Sequence, residues 1–132
     1  MTLNTKCIKA PMSEEDGRRI SVMSRHTLND GTTPDYEIST DLFHEHWRDL
    51  APPPGLVGRY YNHGLPWQEL ENHYLVYIRQ IHLLKRLDAL IGLAVSGNAT
   101  ILCIEATPEK CHRRLLAEEC KRIHPSLEIC IR

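Results

Sequence analysis

The sequence predicts an α/β domain built on a largely parallel sheet, and three observations carry that expectation. Thr100 to Glu105 is a nearly continuous apolar run with turn residues on both sides, Ser96-Gly97-Asn98 before it and Thr107-Pro108 after it. Such a run suits a strand buried on both faces in the middle of a sheet better than an edge strand. A long amphipathic stretch precedes it, and a second helical stretch and a short alternating segment follow. Helix, buried strand, helix and final strand in that order favour right-handed parallel connections.

Taken along the chain, Arg19 to Ser24 is a short first-strand candidate, with Lys6-Cys7-Ile8 as a segment of another strand. His26 to Ser39 is rich in turn formers and reads as a long surface loop. Ser39 or Thr40 then caps a predicted short helix over Asp41 to Leu50, its inward face made of Leu42, Phe43, Trp47 and Leu50. Pro52-Pro53-Pro54-Gly55 ends it, because proline lacks an N–H donor and restricts the residue before it.

The clearest helix begins near Pro66. Trp67, Leu70, Tyr74, Tyr77 or Ile78, Ile81, Leu84, Leu87 or Asp88, and Ile91 recur at intervals of three and four. Pro66 fits the first turn, Glu69 and Glu71 suit the positive helix end, and Gly92 or Ser96-Gly97-Asn98 stops the helix. After the Thr100–Glu105 strand, a helix is predicted from about Pro108 to Ile123 with Thr107 as N-cap, stopped by Pro125. Leu127 to Ile131 alternates and reads as the last strand. The expected whole is one compact domain, residues 1–132, with a sheet flanked by helices in a Rossmann-like three-layer architecture.

Size and charge bound the function. At 132 residues, with 42% hydrophobic and 25% charged residues, the composition is that of an ordinary globule. Sixteen basic against seventeen acidic residues give a net charge of -1, which argues against a broad footprint for duplex DNA. No apolar run approaches the roughly 20 residues that cross a bilayer. The start, MTLNTKCIKA, lacks the apolar core of a signal peptide, so no membrane partner and a cytoplasmic location are expected. The five cysteines, Cys7, Cys103, Cys111, Cys120 and Cys130, lack framework spacing and read as reduced thiols.

The candidate site is the strand–helix junction TILCIEATPEKCHRR, Thr100 to Arg114. Projected at 100° per residue, the last helix has Leu115, Leu116 and Ile123 on its apolar face and His112 near the middle of that face. Cys111 lies on one flank, and Arg113 and Arg114 fall at the margins or in solvent. Strand alternation puts Cys103 and Glu105 on one face. If the strand ending in Ser24-Arg25-His26 is a parallel neighbour, all these residues surround the crevice at the carboxyl ends of the strands, where open α/β sheets bind ligands.

The candidate catalytic residues are Cys103, Glu105, Cys111 and His112. Either thiol suits a nucleophile, and Glu105 and His112 suit proton transfer. Ser24, Arg25, His26 and Arg113 are candidate ligand-binding residues, the arginines for phosphate or carboxylate. Each also has a plain packing role: cysteine is a common core residue, and a half-buried histidine is often simply hydrogen-bonded.

Sharper motifs are absent. There is no GxGxxG fingerprint, Walker lysine loop or HExxH helix, so no cofactor is expected. Cys103, Cys111 and His112 offer soft ligands, but the C-x7-C-H spacing lacks the paired CxxC clusters of structural zinc sites, and no metal is expected. A phosphatase-like loop needs an arginine six residues after its cysteine, where Cys103 meets Glu109 and Cys111 meets Ala117.

The segment LCIEATPEKCHRRLLAE, Leu102 to Glu118, resembles the DUF488 family in its order of Cys, acidic residue, Pro and Cys-His-Arg. SRHTLNDGTTPD and FHEHWRDLAPPPGLVGRYYNHGLPWQELENHYLVYIR resemble the family's middle, so the likeness runs from about Arg19 to Arg122. It marks Ser24, Arg25, Trp47, Pro52, Tyr61, Trp67, Tyr74, Cys103, Glu105, Cys111, His112 and Arg113, and implies a compact α/β fold with a pocket near two strand ends. Leu70 stands where the family often carries phenylalanine. The resemblance implies no particular activity.

Three function classes follow from these residues. The leading one is a protein with an anionic-ligand or thiol-dependent catalytic pocket at the sheet end. A second is nucleic-acid binding or processing, in which Trp47, Tyr60, Tyr61, His63 and Trp67 stack on bases and Arg59 meets phosphate. The third is a non-enzymatic interaction protein, with a homodimer as one form. Whether the chain is an enzyme is left open.

Overall fold

The apolar run after Asn98 becomes the central strand, because only a strand with ladder partners on both edges satisfies its backbone without water. In the computed structural model, which describes residues 1–132, the strands are β1 (Thr2–Cys7), β2 (Arg18–Ser21), β3 (Glu45–His46), β4 (Ala99–Cys103) and β5 (Glu128–Ile131). They form one sheet in the order β3-β2-β4-β1-β5, and every pairing is parallel. All of β4 is buried, and Ile101 stands between Thr5 of β1 and Ile20 of β2. The α-helices are α1 (Leu56–Asn62), α2 (Trp67–Ile78), α3 (Leu84–Ser96) and α4 (His112–Ile123).

Alternation along the strands divides the two faces of the sheet. Leu3, Ile20, Ala99 and Ile101 join Leu70, Tyr74 and Ile78 of α2, Leu87 and Leu90 of α3, and Leu115 and Leu116 of α4 in the main core. Asn4, Arg19, Ser21, Thr100 and Leu102 point the other way, and that face is covered by loops and short 3-10 turns. The architecture is the expected Rossmann-like α/β sheet, with this looped layer as its third layer.

A buried ionic knot holds the looped layer down. Arg19, 1% exposed, donates from Nη1 to Asp16 Oδ2 at 2.7 Å, from Nε to Leu42 O at 2.7 Å and from Nη2 to Ala10 O at 3.1 Å. Asp16 also pairs with Lys6 and accepts from Ser13 N at 3.1 Å, and Thr100 Oγ1 donates to Asp16 O at 2.7 Å. One guanidinium thus ties the turns after β1 and before β3 to the sheet.

Several expected boundaries move, each for a local reason. The first strand is Thr2–Cys7, not Arg19 to Ser24; polar Asn4 and Thr5 hide its buried middle, and β2 starts one residue earlier and stops at Ser21. The helix over Asp41 to Leu50 does not form. Two 3-10 turns, Thr40–Leu42 and Arg48–Leu50, flank the short β3 instead, because His44 N and Trp47 N bond to Arg19 O and Ser21 O of β2. Helix α1 directly follows the Pro-Gly segment, which starts an element as well as ending one.

The long helix from Pro66 is two helices. Leu70, Tyr74 and Ile78 are buried at a spacing of four, but the next buried position is Leu83, five residues on, while Ile81 is 83% exposed. The apolar stripe loses phase there, Gln80 turns extended (φ -68, ψ 145), and α3 restarts in the new phase. The last helix starts at His112, not Pro108. Cys111 is extended (φ -138, ψ 138) at the N-cap position, and its N–H closes a turn to Pro108 O at 3.2 Å.

Candidate functional site

The carboxyl ends of β2 and β4 lie side by side, with Ser21 opposite Leu102. The chain beyond each strand diverges and opens a cavity of about 640 Å³. Its walls come from the turn after β2 (Met23 to Gly31), the Pro52–Gly55 segment and α1, the start of α2, and the β4–α4 junction.

On the junction side stand Cys103, Cys111 and His112. Cys103 is 5% and Cys111 2% exposed, and both border the cavity. His112 projects back from the first turn of α4 across the end of β2, where Nε2 bonds to Val22 O at 2.7 Å. A carbonyl only accepts, so Nε2 carries the proton, and in the neutral ring Nδ1 presents its lone pair. Nδ1 lies 3.6 Å from Cys103 Sγ, and the edge of Tyr74 packs against the imidazole at 5.3 Å between centroids. The sulfurs of Cys103 and Cys111 and one His112 nitrogen all lie within 4.8 Å of one another.

The two thiols differ in acidity. Cys103, set beside the Cys111 sulfur and removed from water, is pushed well above the usual thiol range. Cys111 is pulled well below it by the neighbouring Cys103 thiol, against burial, with His112 and Arg113 adding their attraction.

Glu105 sits at the cavity rim and accepts a hydrogen bond from Tyr61 Oη. Burial, helped by negative charge at Cys111, raises its carboxyl above the ordinary value. Across the cavity, Arg25 donates from Nη1 to Gly31 O at 2.9 Å and Arg48 from Nε to Ser24 O at 3.0 Å. Arg25, Arg48 and Lys110 form no salt bridge, whereas the neighbouring Asp49 is paired with Arg86 at 2.6 Å. An aromatic wall of Tyr60, Tyr61 and Trp67, packed edge to face at 5.2 and 5.9 Å, borders the same space.

The cavity thus gathers Ser24, Arg25, Cys103, Glu105, Cys111 and His112. It leaves out His26 and Arg113. His26 turns under the loop, bonds Ser21 Oγ at 2.7 Å and stacks near Phe43 and His46; burial, with the His46 and Arg48 charges, lowers it to about 4. Arg113 is not at a margin or in solvent. It is 0% exposed and spends its guanidinium on Glu105 O at 2.8 Å and on Arg132 O at 3.0 and 3.3 Å. An even projection angle could not reveal that carbonyls after β4 and at the end of β5 lie above that flank of α4.

Arg113 therefore holds the Glu105 backbone in place. Arg113→Ala is expected to lower folding stability by about 3 kcal/mol, from orphaned carbonyls and an unfilled volume. Chemical denaturation measures this; an unchanged midpoint would show the buried guanidinium to be dispensable.

Three contributors escaped the sequence reading: the Val22 carbonyl, Arg48 and Lys110. A backbone carbonyl leaves no trace in residue identity. Lys110 had a signal, since it directly precedes Cys111 in the junction itself.

A family model described as DUF488-N3a, active DUF488-N3 subclade, matches residues 3–123. The chain belongs to the DUF488 family. No curated protein and no solved structure matches it. Most residues that the resemblance marked in this DUF488 protein converge. Ser24, Arg25, Pro52, Tyr61, Trp67, Cys103, Glu105, Cys111 and His112 border the cavity, while Trp47, Tyr74 and Arg113 lie in the packing beneath. Tyr74 Oη bonds Leu50 O at 2.6 Å, and the Trp47 ring lies under the Arg86 guanidinium at 4.4 Å. Trp47 is therefore not free to stack on a base. No helix is long and apolar enough to cross a membrane.

Proposed function

We propose that this DUF488 protein binds a small anionic molecule with a planar group in the sheet-end cavity and acts on it through Cys103, Cys111, His112 and Glu105, with the whole chain serving as one domain around that cavity. The observation that carries this reading is the single space shared by a cysteine–histidine wall, a carboxyl with raised pKa, cations without carboxylate partners and an aromatic face. Pockets of a few hundred Å³ with a few convergent polar groups are the usual form of small-molecule sites. The description of the matched subclade as active supports chemistry at the site over simple binding.

In this reading Arg25, assisted by Lys110 and Arg48, holds the anionic group. Tyr60 and Trp67 face the planar part. Glu105 exchanges a proton with the bound molecule from the cavity rim, where burial raises its carboxyl above the ordinary value. Tyr61 orients that carboxyl by its hydrogen bond. The nucleic-acid alternative is less well supported, because Trp47 is buried and the net charge is -1.

Phenyl phosphate, which joins a ring to an anion, tests the binding step. Titrated into isotope-labelled protein, it is expected to shift the amides of Arg25, Tyr61, Lys110 and Cys111 as one saturable set. Arg25→Ala is expected to weaken the fit about tenfold or more, the worth of a charged hydrogen bond. Shifts confined to residues away from the cavity, or equal affinity in Arg25→Ala, would overturn the reading.

A further inference from the structure

We propose that Cys103 Sγ, Cys111 Sγ and His112 Nδ1 hold a soft divalent cation of the zinc class on the wall of the sheet-end cavity. This deepens the proposed function and rests on it, since it names the agent through which that wall acts.

The spacing of these residues argued against a metal, because C-x7-C-H is not a structural zinc pattern. The fold removes that objection. Cys103 ends a strand, Cys111 is the N-cap residue of the next helix and His112 its first residue, so the intervening turn returns the chain to its own starting point. All three ligand atoms end within 4.8 Å of one another. Thiolate and imidazole together are the donor set that zinc prefers, and two cysteines with one histidine form a set that leaves a fourth position for water or substrate.

Two further features fit ligation better than packing. His112 Nε2 donates to Val22 O at 2.7 Å, which leaves Nδ1, the nitrogen on the sulfur side, with the lone pair. Metal-bound histidines almost always commit their second nitrogen in this way, to a carbonyl or carboxylate that fixes the ring. All three residues also border the 640 Å³ cavity, so a cation bound among them meets the space where the ligand binds. The remaining cysteines lie outside the cluster: Cys120 is in the core, and Cys7 and Cys130 are on the strands β1 and β5.

Cobalt titration of the chelator-stripped full chain tests the site directly. About one equivalent of Co²⁺ is expected to give thiolate-to-cobalt charge transfer and the visible bands of a tetrahedral ion, and Zn²⁺ is expected to bleach them with a dissociation constant below about 1 μM. Cys103→Ser and Cys111→Ser, which exchange a single atom, are each expected to weaken binding at least about 100-fold, while Cys7→Ser is expected to change nothing. Thermal melts taken with and without Zn²⁺ should show a metal-dependent rise in the parent chain and none in the two cavity variants.

Absence of thiolate–cobalt bands, or cobalt binding that survives both cavity substitutions, would overturn the metal site. Phenyl phosphate titrated into the metal-free chain separates the two proposals. Binding there without any cobalt site would overturn the cation alone, and a cobalt site without phosphate binding would overturn the anionic ligand alone.

Discussion

Asp16→Ala is expected to cost about 3–5 kcal/mol of folding stability, because it leaves the buried Arg19 guanidinium and Lys6 without their counter-charge. Arg19 and Asp16 are each 1% exposed, so water cannot replace the lost partner. The same knot predicts a pH dependence. Burial alone would raise the Asp16 carboxyl, but hydrogen bonds from Lys6, Arg19 and Ser13 hold it at about 2 against an ordinary 3.8. As pH falls, the unfolded chain takes up this proton first. The pair therefore contributes its full share above about pH 4 and loses about 2 kcal/mol of it on acidification to about pH 2. Urea denaturation of parent and variant at several pH values reads the effect as a gap that narrows in acid. A gap under about 1 kcal/mol at neutral pH would show that the knot does not hold the looped layer.

Gly17→Ala is expected to be similarly severe for a different reason. Gly17 has φ +60, a conformation that costs any residue with a Cβ, and an added Cβ would lie 1.9 Å from Asn98 O. That oxygen is backbone and already accepts from Arg18 N at 3.0 Å, where β2 joins β4. The Asn98 side chain is fixed too, accepting from Thr2 N at 3.0 Å and donating to Glu15 O at 2.8 Å. Nothing there can yield without separating the two strands that carry the site. A loss of about 3 kcal/mol or more, a fall of roughly 10 °C in Tm, is expected. Gly92→Ala, in an open position on α3 with nothing within 4 Å, is the matched control and is expected to stabilise slightly. Equal melting temperatures for the two variants would contradict the close approach.

The residues made some of this structure readable in advance. The continuous apolar character of β4 announced a central strand, and the 100° projection of α4 placed His112 inward, towards the end of the sheet. Both follow from local periodicity that tertiary packing reinforces. The misreadings cluster where tertiary hydrogen bonds override local pattern. β1 is disguised by Asn4 and Thr5, whose side chains find partners only in distant segments, Glu15 O and Arg132 O. The segment around Trp47 has helical spacing but becomes a strand because β2 supplies carbonyls to it. Arg113 reads as a surface cation until two loop carbonyls close over it.

The candidate site shows the same division. Its thiols, histidine and carboxyl were legible as a cluster because they lie within one short junction. Their mutual geometry was not legible, since the distance between Cys103 and Cys111 depends on a turn that returns on itself, and the tautomer of His112 depends on the carbonyl of Val22. The half of the site after β2 was anticipated from its place at a strand end. It contributes Ser24 and Arg25 but not His26, which Ser21 and His46 draw beneath the loop.

A crystal of the chain soaked with phenyl phosphate decides whether the sheet-end cavity is the binding site. The phosphate is expected on Arg25 and Lys110 and the ring beside Tyr60 and Trp67, inside the cavity bordered by Cys103, Cys111 and His112. Phosphate density elsewhere, with that cavity unchanged at saturating concentration, would contradict it.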